Sequence, residues 1–256
     1  MKILVITATL GNRPSLAKTI QSVKEIGGKN VTHIIVTPEK NIPQIKAQYN
    51  IECLPELPDK KGIYAALNHG FFTYGKNFDY LTFINDDDYW LPNFKILIEE
   101  TQKNIDFVYG KVNFILENKD KQIKEMACSN QFKDFIPLLH HNIVLFTQQA
   151  TLLKSDLFFK LGGFSEDYKL VSDTLFWSRL STLNINFKYI PKVCAGYTIQ
   201  DGQLSSNKNI QHEEMNYIIQ NVLPKPKFSK TCLALFKYRL SNLHIYFKRY
   251  LKNNSK

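Results

Sequence analysis

The sequence lacks features that define several classes of protein. Its cysteines, Cys53, Cys128, Cys194 and Cys232, lie far apart and form no CxxC pair. That pattern argues against a zinc knuckle or a secreted disulfide scaffold and favours a reducing compartment. No apolar run approaches the ~18 residues of a transmembrane helix. The short apolar N-terminal segment ends in Gly-Asn-Arg-Pro rather than in a cleavage site, so we expect a buried strand there and a cytoplasmic protein.

Negative charge is missing from the C-terminal segment. From residue 225 to residue 256 the chain has nine lysines and arginines and no Asp or Glu. The whole chain carries a net charge of +10, so residues 1–224 are close to neutral. A broad basic face is therefore not expected there, and we predict no nucleic-acid partner.

Alternation of strand-like and helix-like segments indicates an α/β fold. Apolar β-prone runs are typical of buried parallel strands, and they occur at residues 2–8, 31–37, 51–57 and 79–85. Helical spacing of apolar residues begins at Leu16 and at Ile63. The short units predict βαβ crossovers and a mostly parallel central sheet flanked by helices. From about residue 105 we expect a hairpin, further helices and one or two more strands.

The prolines of segment 223–227 break helix and sheet, and they predict a boundary before a helical tail over residues 223–256. Within 228–252, apolar residues recur at helical spacing between basic ones, at Leu233, Phe236, Leu240, Leu243 and Phe247. The pattern favours one basic amphipathic helix lying on an anionic membrane surface. The alternative is a helix that packs its apolar stripe on the domain or on a second subunit.

The segment FINDDDYW, residues 83–90, places Asp86, Asp87 and Asp88 directly after a buried strand. In open α/β sheets, ligands bind at that end of the strands. Adjacent carboxylates raise one another's pKa unless a cation offsets them, and hard oxygen ligands suit Mg²⁺ or Mn²⁺. The segment therefore suggests a metal-bridged diphosphate, with a solvated Asp-rich turn as the alternative.

A second carboxylate, Asp173, shares a helix face with Phe176 and Leu180, so it points inward or into a cleft. One interpretation is a general base beside the metal site. The other is an ordinary helix start, in which Ser172 caps the helix and Asp173 complements its dipole.

Several segments in order resemble one family, the GT-A glycosyltransferases of family 2, which invert the anomeric centre of a nucleotide-activated sugar. They are VITATLGNRPSLAKTIQSV, KKGIYAALNHGF, LTFINDDDYWLP, QQATLLKSDLFFKLGGFSEDYKLVSDTLFWSRL and GYTIQDGQLS. The resemblance runs from about residue 3 to about residue 206. It implies a GT-A, Rossmann-like domain over 1–222, with the nucleotide sugar bound by residues up to about 104 and the acceptor by about 105–222.

The resemblance also implies roles for individual residues. Asp173 falls at the general base, and Asp87 is the expected ligand of Mn²⁺ or Mg²⁺. Asp88 is expected to contact the metal or the donor. Both Asn85-x-Asp87 and Asp86-x-Asp88 fit the spacing of a D-x-D-like motif, so the alignment of this motif stays open. The expected donor contacts are Thr9, Arg13, Glu39, Lys60 and Asp86.

What the resemblance implies is an inverting transfer from a nucleotide sugar, with a UDP-sugar as first candidate. The acceptor would be a glycan or lipid-linked glycan in bacterial surface polysaccharide or glycoconjugate synthesis, at the inner face of the cell membrane; a homodimer is left open. Two departures concern donor recognition. The second strand ends in VTPEKN without the family's acidic, serine-containing turn, and Ala65 replaces an acid. Alternatives are a metal-dependent sugar-nucleotide hydrolase or nucleotidyltransferase, and a glycosyltransferase-like protein that only binds.

Overall fold

A computed structural model describes residues 1–116, 121–200 and 208–254. In these ranges nine strands form one sheet, and helices cover its faces. The strands are β1 (Ile3–Ala8), β2 (Val31–Thr37), β3 (Glu52–Pro55), β4 (Tyr80–Phe83), β5 (Tyr89–Trp90), β6 (Phe107–Leu116), β7 (Lys121–Glu125), β8 (Thr151–Lys154) and β9 (Phe187–Ile199). The helices are α1 (Leu16–Gly27), α2 (Ile42–Tyr49), α3 (Ile63–Tyr74), α4 (Phe94–Glu100), α5 (Phe135–Leu139), α6 (Ser155–Lys160), α7 (Ser172–Thr182), α8 (Lys208–Tyr217), α9 (Phe228–Ser241) and α10 (Leu243–Asn254).

The first half of the chain forms a parallel sheet in the order β3-β2-β1-β4. Strand β1 is central, and its residues Ile3, Leu4, Val5 and Ile6 are fully buried because helices cover both faces. The predicted strands at 2–8, 31–37, 51–57 and 79–85 are confirmed within a few residues. Since these strands are parallel, their carboxyl ends lie at one edge of the sheet, which we call the carboxyl edge.

The second half continues the same sheet with mixed strand directions, in the order β4-β8-β6-β9-β5. Strand β8 is antiparallel to β4 and β6, whereas β9 runs parallel to β6. The predicted hairpin is confirmed as β6 and β7, and its turn at 117–120 lies outside the described residues. The α/β fold class is therefore confirmed, with the parallel order concentrated in the first half.

Aromatic side chains fill the interior beside this sheet. The ring of Trp177 lies 5.3 Å from that of Phe107 and 5.7 Å from that of Phe146, between centroids. On the other face, Trp90 stacks on Phe94 at 3.8 Å. Both tryptophans are almost completely buried, so they belong to the core. Within the described ranges, the helices include none that has the length and apolar character to cross a membrane.

The C-terminal tail differs from the single helix that its periodicity predicts. Two helices, α9 and α10, meet at Asn242, which is fully buried. Its side chain accepts a hydrogen bond from the Cys128 backbone N–H at 3.1 Å and donates one to the Tyr238 carbonyl at 2.9 Å. The bond from Cys128 holds residue 242 against the domain, and the helical path breaks there.

We predict that Asn242→Ala lowers the free energy of unfolding by about 1–3 kcal/mol, because it leaves the buried Cys128 N–H without its acceptor. Urea unfolding at equilibrium measures this loss. The matched control is Ser241→Ala, since Ser241 is the exposed neighbour of Asn242. Equal midpoints for the two variants would contradict the anchoring role.

Candidate active site

The carboxyl edge brings the first loop of the chain against the acidic segment. Thr9 follows β1, and its backbone N–H donates to the Val36 carbonyl at 3.0 Å. Its hydroxyl donates to Asp86 Oδ2 at 2.6 Å. The loop then turns at Gly11, which has a φ of +73° and donates its N–H to the Thr9 hydroxyl at 2.9 Å. The loops after β1 and β4 are thereby joined at the position that the sequence predicts for a ligand site.

Asp87 accepts hydrogen bonds from two segments that are far apart in sequence. Arg13 Nη1 lies 2.9 Å and Gln200 Nε2 lies 2.7 Å from Asp87 Oδ2. The same guanidinium reaches Asp86, with its Nε 3.5 Å from Oδ1. Arg13 therefore bridges two adjacent carboxylates and offsets part of their charge. Burial still raises the pKa of Asp86, although the Thr9 hydrogen bond and the Arg13 charge act in the opposite direction.

Asp88 points into the protein and is only 1% exposed. Oδ2 accepts bonds from Asn85 Nδ2 at 3.0 Å and Gln149 Nε2 at 2.6 Å, and Oδ1 accepts the Thr198 N–H at 2.8 Å. Burial raises the pKa of Asp88 well above its usual range, and the charge of Asp87 raises it further. The side chain thus links the acidic segment to β9 and to the residues before β8.

Asp173 lies in the first turn of α7 and is half-buried. Its Oδ1 accepts the Tyr64 hydroxyl at 3.0 Å and the Thr174 N–H at 2.7 Å. Burial raises the pKa of Asp173, and these two hydrogen bonds oppose the rise. Val171, not Ser172, occupies the cap position, and the Ser172 hydroxyl has no hydrogen-bond partner among the described residues. Ser172 therefore does not cap the helix, as the alternative supposed, whereas Asp173 does lie in the first turn, where it complements the helix dipole.

A chain of aromatic rings connects Asp173 with the strand that precedes the acidic segment. Tyr64, in the first turn of α3, has its ring 5.5 Å from that of Phe164, which lies 5.4 Å from that of Phe83 at the end of β4. Helix α3 follows β3 and so begins at the carboxyl edge. Asp173 and the acidic segment therefore belong to the same edge of the sheet.

The remaining predicted donor contacts lie on loops around this edge. Lys60 forms an ion pair with Glu166 at 2.9 Å, and this partner lowers the pKa of Glu166. Asn68 Nδ2 also donates to Glu166, at 3.2 Å. Glu39 is exposed in a single 3₁₀ turn after β2. Lys60 thus joins the loop before α3 to the loop before α7, and Glu39 faces solvent.

Sequence reasoning missed three side chains that complete these contacts: Tyr64, Gln149 and Gln200. Each lies within a segment that resembles the family, which was the available signal. Their amide or hydroxyl groups meet carboxylates only through long-range packing, so spacing did not single them out. His212 is exposed and lines a different cavity of about 570 Å³ with Leu139, Asn142 and Met215. Residues 201–205 of the GYTIQDGQLS segment lie outside the described residues.

The carboxylates at the edge suit a divalent cation that is shared with a ligand. Among the described residues, no three His, Cys, Asp or Glu side chains converge as a metal-binding group. Asp86 and Asp87 are hard oxygen donors, as Mg²⁺ and Mn²⁺ prefer, and such ions commonly take one or two protein carboxylates. Water and phosphate oxygens supply the remaining ligands. The residues present fit that arrangement rather than an all-protein cage.

Comparison with known proteins identifies the family of the chain and proteins of similar fold. The sequence profile described as "Glycosyl transferase family 2" matches residues 4–165. No curated protein matches the sequence. Among solved structures, Staphylococcus aureus TarS 1–349 in complex with UDP-GlcNAc is 12% identical with a TM-score of 0.61, over 95% of this chain and 73% of that one. A longer TarS chain matches over 49% of its own length, at 13% identity and a TM-score of 0.60.

A second similar structure is the mannosyltransferase PcManGT from Pyrobaculum calidifontis, in complex with GDP-Man and Mn²⁺. It is 13% identical with a TM-score of 0.61, over 93% of this chain and 69% of that one. At such identities the likeness establishes the fold. Together with the profile match, which spans more than half of the chain, it confirms the resemblance that the sequence motifs indicate.

The raised pKa of Asp173 predicts how an amide at this position changes stability. The carboxyl of an unfolded Asp has a pKa of about 3.9, and burial raises the pKa of Asp173 in the folded protein. The charged carboxylate is therefore more stable in the unfolded chain than in the folded one. The wild type loses folding stability as the pH rises from the unfolded pKa of Asp173 to its folded pKa. Asp173→Asn, whose Oδ1 can still accept both bonds, should gain stability relative to wild type from pH 3 to pH 7. Thermal unfolding of both proteins across this range tests the sign; a growing deficit in the variant would contradict it.

Proposed function

The chain belongs to glycosyl transferase family 2, and from that premise we propose that it transfers a sugar from a nucleotide-sugar donor to an acceptor hydroxyl, with inversion of the anomeric centre. The observation that supports the proposal is that the loops and helices bearing Asp86, Asp87 and Asp173 lie at the same edge of the sheet. The acceptor we propose is a glycan or lipid-linked glycan in bacterial surface polysaccharide or glycoconjugate synthesis. That assignment puts the enzyme at the cytoplasmic face of the membrane.

Donor binding is assigned to the loops that end the first strands. Thr9, Arg13 and Asp86 already contact one another there, and TarS and PcManGT each bind a nucleotide sugar on a similar fold. A UDP-sugar is our first candidate donor. Once the Arg13 guanidinium separates from Asp87, its positive charge would be available to the diphosphate of the donor. We also propose that Lys60 and Glu39 contact the nucleotide sugar from the surrounding loops. Lys60 would first have to break its ion pair with Glu166.

We assign the divalent cation, Mn²⁺ or Mg²⁺, to Asp87 with Asp86 beside it. When bound, such an ion neutralises charge on a departing diphosphate. For Asp88, predicted at the metal or the donor, we propose a positioning role, because three protein donors already occupy its oxygens and it is 1% exposed. Asp88 then fixes the direction in which Asp87 points.

Asp173 is proposed as the general base. A carboxylate whose pKa is raised by burial accepts a proton more readily than a solvated one. The Tyr64 hydroxyl and the Thr174 N–H both bind Oδ1, and so they hold the carboxylate in one orientation. Asp173 would take the proton of the acceptor hydroxyl as its oxygen forms the new bond to the anomeric carbon. The nucleoside diphosphate leaves from the opposite face.

Two other functions use the same edge and give different products. A sugar-nucleotide hydrolase would transfer the sugar to water, and a nucleotidyltransferase would transfer a nucleotidyl group and release pyrophosphate. A protein that only binds would release no nucleoside diphosphate. The oriented carboxylate of Asp173 beside Tyr64 favours catalysis over binding alone. Transfer and hydrolysis differ in whether release of the nucleoside diphosphate depends on a sugar acceptor.

We predict that Asp173→Asn lowers the rate of sugar transfer by about 10²–10⁴, the usual contribution of a general base. Nucleotide affinity should remain, because Asp173 lies on the acceptor half of the chain. Release of nucleoside diphosphate in the presence of a polysaccharide or lipid-glycan acceptor extract measures the rate. Asp167→Asn is the control, since Asp167 is exposed in the neighbouring loop. Full activity of Asp173→Asn would remove the assigned base.

Donor class and metal need are tested together by thermal shift with nucleotides and nucleotide sugars, with Mn²⁺ or with a chelator. A ligand at 100 times its dissociation constant stabilises the folded state by about 2.7 kcal/mol. We expect such a shift for one nucleotide class with Mn²⁺ and its loss in Asp87→Asn. The control Asp156→Asn changes an exposed carboxylate on α6 and should keep the shift. Equal shifts in chelator and in Mn²⁺ would contradict the metal assignment.

A further inference from the structure

Helices α9 and α10 are held firmly against the domain by one of their faces. Thr231, Ala234 and Tyr238 of α9 and Ile245 of α10 are buried. The Tyr238 hydroxyl donates to the Ala127 carbonyl at 3.1 Å, and Asn242 is bonded to the same segment. The tail is therefore part of the folded surface, and its orientation relative to the sheet is fixed.

The apolar stripe of the tail lies on the opposite face and is exposed. Its members are exposed by 52–65%, namely Leu233, Phe236, Leu240, Leu243 and Phe247. The alternative in which the stripe packs on the domain is therefore wrong. Eight of the fifteen large apolar side chains that are exposed in the described ranges belong to these two helices. A concentration of this kind marks an interaction surface, whereas single exposed apolar residues do not.

Basic side chains border this stripe on both sides. At about 100° per residue, Lys230 and Lys237 lie on one side of the line through Leu233, Phe236 and Leu240, and Arg239 lies on the other. All three basic residues are exposed. Since residues 225–256 contain no Asp or Glu, no carboxylate of the tail offsets this charge. The surface is apolar along its centre and cationic along its margins.

We propose that this face of α9 and α10 binds an anionic lipid membrane. Leu and Phe side chains would enter the boundary between headgroups and acyl chains, while Lys and Arg extend their ammonium and guanidinium groups to lipid phosphates. The proposal goes beyond glycosyl transfer and does not depend on it. Combined with that function, it holds the enzyme at a membrane, where a lipid-linked acceptor is presented.

The charge of the tail argues against the other occupants of such a surface. In a symmetric dimer the same patch meets itself, so Lys230, Lys237 and Arg239 of one chain would face the same residues of the other. A nucleic acid would satisfy the charges but would leave the Leu and Phe stripe without an apolar partner. An anionic bilayer satisfies both.

The test is flotation of the full chain with vesicles of phosphatidylcholine alone or with about a quarter phosphatidylglycerol. We expect binding to the anionic vesicles, and we expect added salt to weaken it. Lys237→Gln with Arg239→Gln removes two charges and should weaken binding about 30-fold at low salt. Phe236→Ser with Leu240→Ser should weaken it by about 100-fold or more.

Matched controls come from exposed residues outside the tail. Phe72→Ser removes an exposed phenylalanine of α3, and Lys24→Gln removes an exposed lysine of α1. Both should bind vesicles as the wild type does. Equal flotation of the stripe variant and the wild type would overturn the proposal. The proposal would also be overturned if the wild type did not float and instead formed a dimer that the stripe variant could not form. Because the readout is binding, neither result bears on the role of Asp173.

Discussion

Three adjacent carboxylates at the end of β4 repel one another, and the site depends on how this repulsion is relieved. The chain turns them in different directions and gives each its own donors. Asp86 meets the Thr9 hydroxyl and Arg13, Asp87 meets Arg13 and Gln200, and Asp88 is enclosed by neutral amides. A single cation, the Arg13 guanidinium, is shared between Asp86 and Asp87. A cation at that place therefore relieves the repulsion between Asp86 and Asp87, whichever cation supplies it.

The same requirement determines which parts of the chain must meet. Arg13 comes from the loop after β1, whereas Gln200 follows β9 and Thr198 lies within it. Strands β1 and β9 are separated in the sheet by β4, β8 and β6, so the acidic segment connects its two halves. Asp173 is oriented from a third direction by Tyr64 of α3. Desolvation raises the pKa values of Asp86, Asp88 and Asp173, which is unfavourable for folding but provides carboxylates that respond strongly to a cation or a proton.

Much of this arrangement follows from local sequence. Apolar runs predict β1 to β4, and parallel strands place the residues after β1 and β4 at a common edge. Helical spacing also predicts that Asp173 faces inward. Periodicity does not reveal which donor reaches which oxygen, because Gln149, Gln200 and Tyr64 meet their carboxylates only after β8, β9 and α3 have packed. The break at Asn242 has the same origin, since its cause is the backbone N–H of Cys128, more than a hundred residues earlier.

The direction of the tail stripe illustrates the limit of periodicity most clearly. A helical repeat of apolar residues shows that one face is apolar, but it does not show whether that face is covered. In α9 the docked residues Thr231 and Ala234 are small, and the docked Tyr238 donates its hydroxyl to the Ala127 carbonyl. The more apolar face is left outside. Docking by small and polar groups fixes the orientation of the helix without using its strongest apolar surface, and that surface thereby stays available for a partner. The segment that receives α9 follows β7, and β7 pairs with β6, which in turn pairs with β9. Gln200, which holds Asp87, directly follows β9. A partner that binds the tail therefore also sets the orientation of this part of the sheet.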